Sequence, residues 1–364
     1  MIYRAFFRLV LQRIDSERAH SFAIRALQLL AVIPGALTLT DWLLRPRDPG
    51  LEVRVLGLDF RSPLGVAAGV DKDASAFDSL LALGFGAVEV GTVTAQGQPG
   101  NEKPRATRLP RDRALINAMG FPNQGAEAVA ARLARRRGHG VVGVNVGKSK
   151  VVELDDAVGD YRRAVARLAP LADYLVLNVS SPNTPDLRQM QTVERLEALI
   201  AGVREELTSA PHSPPLLIKL APDLADAEIE AIAAMALRLE LDGIVAVNTT
   251  TDHGLATASQ AEIAAQRHGG GVSGRPLQDR AVAVLRLLRA RTDGQLPLIS
   301  VGGVESAGDA WQRILCGASL VQAYTGFVYG GPLWPRRLNR ELARLLRDSP
   351  WPSIAEAVGK DPAA

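Results

Sequence analysis

Residues 174–180 read YLVLNVS and residues 215–221 read PLLIKLA, two short apolar runs with polar side chains at or near their C-terminal ends. Neither run alternates apolar with polar. A strand wet on one face would alternate, so these runs suit strands covered on both faces, as in a parallel sheet wrapped by helices. The pattern recurs at 62–69 (SPLGVAAG), 87–93 (AVEVGTV), 141–147 (VVGVNVG), 243–249 (GIVAVNT), 296–303 (LPLISVGG) and 319–325 (SLVQAYT). Amphipathic, helix-like segments lie between them at 126–137, 157–169, 193–207, 226–240, 279–291 and 306–315. Eight such strand units, most followed by a helix, predict an α/β fold closed as a (β/α)8 TIM barrel, with a doubly wound open sheet as the alternative.

Two stretches, 94–140 and 250–295, are too long for simple crossovers and read as inserted loops, which in barrels usually build the site. The first 45 residues differ in character. Tyr3, Phe7, Val10 and Ile14 recur at helical spacing with Arg4, Arg8 and Arg13 among them. Asp15 or Ser16 then caps a second helix carrying Phe22, Ala23, Ala26, Leu27, Leu30 and Ile33. Residues 1–47 hold seven Arg against Asp15, Glu17 and Asp41, an excess of four in a chain whose net charge is +3. A basic, aromatic-bearing helical hairpin reads either as a membrane-surface element or as a cap on the barrel bottom. The chain is thus expected to divide into an N-terminal helical extension (1–45), a barrel (46–345) and a C-terminal tail (346–364). Its longest uncharged run, 26–40, is too short to span a bilayer, and the early arginines break up any secretory signal. The charge excess is too small to argue for nucleic acid, and the single Cys316 leaves no internal disulfide.

In a barrel the active site forms at the C-terminal ends of the strands. This chain has six Lys beside 36 Arg, yet Lys72, Lys148, Lys150 and Lys219 all fall at or just past strand ends, and Lys103 lies in the first insertion. A compact ammonium is evidently wanted there. Lys219 sits inside an apolar strand and needs an anionic or polar partner, either a ligand or an internal ion pair. Asn145, Asn178 and Asn248 end strands, Asn183 follows the fourth, and Asn117 lies in the first insertion. Asn is poor in strands, and each amide offers a donor and an acceptor, so the group suits a planar ligand with alternating C=O and N–H edges. Gly302-Gly303 after the seventh strand, Gly326 after the eighth, and Gly269-Gly270-Gly271 with Gly274 suit a phosphate approached by backbone N–H groups. Without a GxGxxG fingerprint in a βαβ setting, a mononucleotide such as FMN fits better than a nicotinamide dinucleotide. His20, His139, His212, His253 and His268 are scattered, and no metal site is expected. The segment NVSSPNTP (178–185) is at least a turn; functionally, its Ser181 reads as a base beside a bound substrate. No His or Asp stands nearby in sequence for a hydrolase triad, and there is no GxSxG elbow.

Taken together, AAGVDKD (67–73), GFGAVEVGTVT (84–94), QPGNEKPR (98–105), INAMGFPNQG (116–125), NVSSPNTPDLR (178–188), IKLAPDL (218–224), NTT (248–250), GGGVSGRPL (269–277) and GASLVQAYTGFVYGGP (317–332) resemble the dihydroorotate dehydrogenase family. The likeness runs from the N-terminal helices to about residue 340, in family order. Ser181, where the soluble class carries Cys, and the helical extension both resemble the membrane-associated class that passes electrons to a quinone. The resemblance implies oxidation of dihydroorotate to orotate in pyrimidine biosynthesis, with Ser181 taking the C5 proton while hydride leaves C6 for the flavin N5. Thr184 and Phe121 match positions that line a proton exit. The resemblance assigns substrate to Lys72, Asn117, Ala118, Met119, Gly120, Phe121, Asn178, Asn183, Asn248 and Thr249. It assigns FMN to Ala68, Gly69, Val70, Asp71, Lys72, Thr92, Asn145, Asn178, Lys219 and Val247, with Gly274, Gly303, Tyr324 and Thr325 about its phosphate. It further implies a monomer held peripherally at the cytoplasmic face of the inner membrane, with no nucleic-acid partner.

Two positions depart from the family's habit: Val247 stands where Thr is frequent, and Ser300 where Gly is. A backbone contact to flavin survives the first change, whereas a hydroxyl contact does not. Rival readings are another flavin barrel acting on tRNA, which would want a further RNA-binding domain, and a Schiff-base lyase built on Lys219.

Overall fold

A computed structural model describes residues 2–138, 140–208, 212–266 and 269–361, and of Ile2 and Arg4 only the backbone. His139, His268 and the last three residues of the expected tail lie outside the described residues.

All eight apolar runs become strands: Leu64–Val66, Ala87–Val93, Val141–Val146, Tyr174–Asn178, Leu216–Leu220, Gly243–Ala246, Leu298–Val301 and Leu320–Ala323. They pair in parallel in chain order and the last closes on the first, so the barrel prevails over the open sheet. The six amphipathic segments become the helices Ala126–Leu133, Ala157–Leu168, Val193–Thr208, Asp226–Arg238, Gln278–Thr292 and Ala307–Leu315. Their apolar stripes and the outer faces of the strands form one continuous core. Burial on both faces is why the runs do not alternate.

The barrel interior is partly polar. Tyr174 and Gln322 reach into it, and glycines on neighbouring strands leave them room: a Cβ at Gly143 would lie 2.0 Å from Cζ of Tyr174, and one at Gly65 would lie 3.3 Å from Cγ of Gln322. Register carries the polar positions to one level, with Asn178 paired to Lys219 and Asn145 to Gly91.

The insertions are folded rather than loose. Residues 94–140 contribute Gln96–Gln98 paired with Asn123–Gly125, and Ala106–Leu109 paired with Ala114–Asn117. Gly271–Gly274, from the second insertion, adds a third antiparallel strand to the latter pair. Leu109, Ala114, Ile116, Ala256, Ile263 and Val272 give this annex a small core of its own.

The extension differs from the expected hairpin. Its first helix, Ile2–Leu9, stops short of Ile14 and passes into a 3-10 turn, Leu11–Arg13. The second helix, Ser16–Val32, is capped by the Asp15 carboxylate, which accepts from the backbone N–H groups of Glu17 (3.1 Å) and Arg18 (3.0 Å). A third helix, Ala36–Leu44, follows once Gly35 turns the chain at φ 76°. The extension lies beside the C-terminal ends of the strands, where it lines the same cavity as Lys72 and Ser181, and not at the barrel bottom. Phe22, Leu29, Val32, Leu39 and Trp42 on these helices are exposed. Among the described residues no single helix is long and apolar enough to cross a membrane, but Ser16–Val32 and Ala36–Leu44, bent by 108°, pass that test as a pair. At the other end, residues read as tail pack onto the barrel: Ile354 and Ala357 are buried, and Gly359 donates to the Ile314 carbonyl at 3.0 Å.

Overpacking a filled interior costs about 1–3 kcal/mol. Gly143→Ala is therefore expected to lower the free energy of unfolding by roughly 2 kcal/mol in urea titrations. An unchanged midpoint would mean that Tyr174 does not pack tightly over Gly143.

Candidate active site

The site begins with a carboxylate inside the barrel. Glu89, on the second strand and fully buried, accepts hydrogen bonds from Asn145 Nδ2 (2.8 Å) and Gln322 Nε2 (2.8 Å). Lys219 Nζ stands 3.9 Å from the same carboxylate. Burial depresses the Lys219 pKa, and the Glu89 charge opposes that fall. The ion pair weighed from the sequence is thus present but loose, and it leaves Lys219 on the wall of the cavity above.

From Glu89 the hydrogen bonds climb to the rim. Thr92 Oγ1 donates to Asn145 Oδ1 (2.5 Å), and Asn178 Nδ2 donates to Thr92 Oγ1 (2.8 Å) and Asn145 Oδ1 (3.1 Å). Asn248 Nδ2 donates to Ser180 Oγ at 2.9 Å. The strand-end asparagines therefore hold one another, which explains how an unfavourable strand residue is tolerated there.

Ser181 follows the fourth strand, buried, its Oγ accepting from the Asn183 N–H at 3.2 Å. Asn183 Nδ2 in turn donates to the Asn117 carbonyl at 3.1 Å. Arg188 fastens this loop to the sixth strand's exit, donating to Thr249 O (3.0 Å) while pairing with Asp223 (2.7 Å). Opposite, Lys72 Nζ donates to Gly69 O (2.8 Å) and lies 3.4 Å from His20 Nε2 on the extension. Burial brings Lys72 down to about 8, partly offset by the Glu17 charge. The Lys72 charge, with burial second, pushes His20 down to about 3.

A single cavity of about 640 Å³ joins these groups to the extension. Its apolar end is walled by Phe22, Ala23, Ala26, Leu27 and Leu30. Its polar end takes in Ala68, Gly69, Val70, Lys72 and Thr92, then Asn117, Met119, Gly120 and Phe121. Asn178, Ser181, Asn183, Lys219, Val247, Asn248 and Thr249 complete that end, and Gly274, Gly303, Tyr324 and Thr325 edge it. Gly274 has φ 97° and Gly303 φ 76°, and a Cβ would come within 2.5 Å of the Arg113 carbonyl or 2.7 Å of Gln278 Cα. Only glycine lets the backbone form this concavity.

Three expected residues stand apart from the cavity wall. Asn145 lies just behind it, bridging Glu89 to Asn178. Ala118 is buried, its N–H donated to Arg105 O. The Asp71 carboxylate is occupied by the N–H groups of Ser75 (2.8 Å) and Ala76 (2.7 Å). Lys148 and Lys150 also stand apart: the first bonds the carbonyls of Ser149 and Val152, the second Asn101 Oδ1. Val247 keeps a backbone role, donating to Val301 O at 3.0 Å, and Ser300 Oγ accepts from Arg313 at 3.0 Å. Among the described residues no three His, Cys, Asp or Glu gather as metal ligands. Sequence reasoning missed Glu89, Gln322 and His20. Glu89 was detectable by the argument used for Lys219, because an acid in an apolar strand equally demands a partner.

Residues 50–346 match the family model described as dihydroorotate dehydrogenase. The chain is 54% identical to the dihydroorotate dehydrogenase (quinone) of Thermobifida fusca, covering 99% of this chain and 97% of that one. It is 51% identical to that of Streptomyces coelicolor, covering 99% of each. Among solved structures, the Eimeria tenella dihydroorotate dehydrogenase in complex with ferulenol aligns with a TM-score of 0.88 at 35% identity, over 98% of each chain. Its ligand-free form gives 0.81 at 36% identity, over 90% of this chain and 99% of that one. Fold and site together define a flavoprotein oxidoreductase of the TIM-barrel type. The chain belongs to the dihydroorotate dehydrogenase family, in its quinone-linked class.

Breaking a buried charge pair by removing one partner costs about 3–5 kcal/mol, whereas replacing both is far milder. Glu89→Gln is expected to destabilise the cofactor-free protein by roughly 3 kcal/mol in urea unfolding, and Glu89→Gln with Lys219→Met to recover most of that. Additive losses in the double variant would show that the two groups are not coupled.

Proposed function

We propose that this protein oxidises dihydroorotate to orotate in de novo pyrimidine biosynthesis, with FMN as hydride acceptor and a membrane quinone as final electron acceptor. The observation that carries the reading is Ser181 buried in one cavity with the asparagine rim, Lys72 and the glycine concavity.

The cavity suits the flavin. Among the described residues Gln322 Oε1 is buried without a hydrogen-bond partner, an acceptor suited to a ligand N–H, and the concavity at Gly274 and Gly303 suits a phosphate. FMN bound there supplies the two-electron acceptor that no side chain can provide. Thr92, Asn178, Lys219 and Val247 would hold its ring against Ala68, Gly69 and Val70, with Asn145 supporting them from behind and Gly274, Gly303, Tyr324 and Thr325 about its phosphate. Asp71 takes part only through the turn it caps.

On the substrate side, Lys72 meets the carboxylate, and Asn117, Asn178, Asn183, Asn248 and Thr249 offer donors and acceptors to the ring edges. Met119, Gly120 and Phe121 close the wall, with Ala118 behind it. Ser181 Oγ takes the C5 proton as hydride leaves C6. A serine hydroxyl is a weak base, so its own proton must move on. Thr184 Oγ1, buried and without a hydrogen-bond partner among the described residues, and the Phe121 ring on the cavity wall support the proton exit that the family likeness implies. Residues 1–45 serve as the quinone-side extension at the cytoplasmic face of the inner membrane, and their exposed apolar side chains support peripheral attachment to lipid.

Dihydroorotate added anaerobically to the purified FMN-loaded protein is expected to bleach the flavin absorbance. Ser181→Ala should keep flavin and substrate binding while bleaching slows by about 10²–10⁴. Near-normal bleaching would remove Ser181 from the chemistry. Lys72 is charged below about 8 and neutral above it. Hence kcat/KM for dihydroorotate should fall as pH rises through that value, and a flat profile would separate Lys72 from the substrate carboxylate.

A further inference from the structure

An ion pair ties the extension to the substrate side of the site. Glu17, the second residue of the helix Ser16–Val32, accepts from Arg105 Nε at 3.0 Å, with the two side chains 16% and 8% exposed. So covered a pair is not the interchangeable surface contact that contributes little. Arg105 Nη1 donates further to the carbonyls of Pro99 (2.6 Å) and Asn101 (2.8 Å), shaping the loop between them. Asn101 Nδ2 then donates to Ala118 O (3.0 Å) and to Asn183 O (3.1 Å). Asn183 is the residue whose N–H bonds Ser181 Oγ. Hydrogen bonds and one short stretch of loop backbone therefore run without a break from the extension to the proposed base.

A second effect reaches the same place through space. The charged and titratable groups about Lys72 are His20 in contact, Glu17, Arg105, Asp71 and Asp73. Of these, Glu17 is the largest influence keeping Lys72 protonated against burial. Two groups of the extension, His20 and Glu17, thus bear on a residue assigned to substrate rather than to quinone.

We propose that Glu17 is a positioning residue for dihydroorotate oxidation, holding the Ser181 loop in register through Arg105 and Asn101. The extension is then part of the pyrimidine half of the site as well as the apolar passage. This rests on the functional reading above.

The test separates the two half-reactions of the FMN-loaded full-length protein. Glu17→Gln is nearly isosteric. It should slow anaerobic bleaching by dihydroorotate by about tenfold, since small misplacements of reacting groups are costly. Reoxidation of dithionite-reduced protein by a short-chain benzoquinone should change by less than about twofold, a difference too small to mark a barrier change. The fall of kcat/KM with pH should begin at lower pH than in the parent protein, because Lys72 has lost a stabilising charge. Glu17→Asp should restore much of the rate, and Asn101→Ala combined with Glu17→Gln should be little worse than the poorer single variant. Parent-like bleaching and pH profile in Glu17→Gln overturn the inference, as does equal slowing of both half-reactions with an unmoved pH profile. Failure of the parent protein to bleach at all sinks the functional reading, and this inference with it.

Discussion

Inside the barrel the Glu89 carboxylate is met by Asn145, Gln322 and Lys219, groups from three other strands that converge where water is excluded. An acid in that position is tolerable only when it is saturated with donors and a counter-charge. The requirement propagates. Gly65 and Gly143 must remain small so that Gln322 and Tyr174 can occupy the interior. Asn145, already committed to Glu89 below, presents its oxygen to Thr92 and Asn178 above. Asn178, fixed in that way and in register with Lys219, leads directly into the turn that carries Ser181. The placement of the rim thus follows from satisfying one charge beneath it.

The extension works by a different physical principle. Its helices present apolar surface both outward and into the cavity, and a few of its polar residues make specific contacts. Asp15 caps the second helix, Glu17 grips Arg105, and His20 meets Lys72. Arg108, in the annex, donates to the Ile14 carbonyl, and Tyr3 donates to Val328 O at 2.7 Å, so the extension is stitched to both ends of the barrel sequence. Oily packing alone would let such helices slide; these contacts fix their seating.

How much of this was legible depended on whether a residue's environment is local. The eight strands were, because burial on both faces writes itself into a continuous apolar run. The insertion strands were not. They are three or four residues long, too short to show a local period, and Gly271–Gly274 pairs with Ala114–Asn117 across a large sequence separation. The helix Ala36–Leu44 was hidden because it begins inside the uncharged run 26–40, where Pro34 and Gly35 divide two helices. Of the strand-end lysines, Lys72 and Lys219 line the cavity, whereas Lys148 and Lys150, past the same kind of strand end, bond loop groups instead. Position along a strand does not say which way a long side chain leaves it. Asp71 shows the converse, since a residue within a motif can serve the turn's backbone rather than the ligand.

The contact between His20 and Lys72 has a bearing on how the oily and watery ends of one cavity coexist. With the imidazole held down to about 3, the ring stays neutral, with a single N–H, at any pH a cell experiences. His20 therefore adds no charge of its own beside Lys72, and the charge that the helix brings to bear on that lysine is the one on Glu17. The polar lining of the one cavity thus gives way to the apolar lining where a neutral ring on the extension meets the ammonium of the barrel.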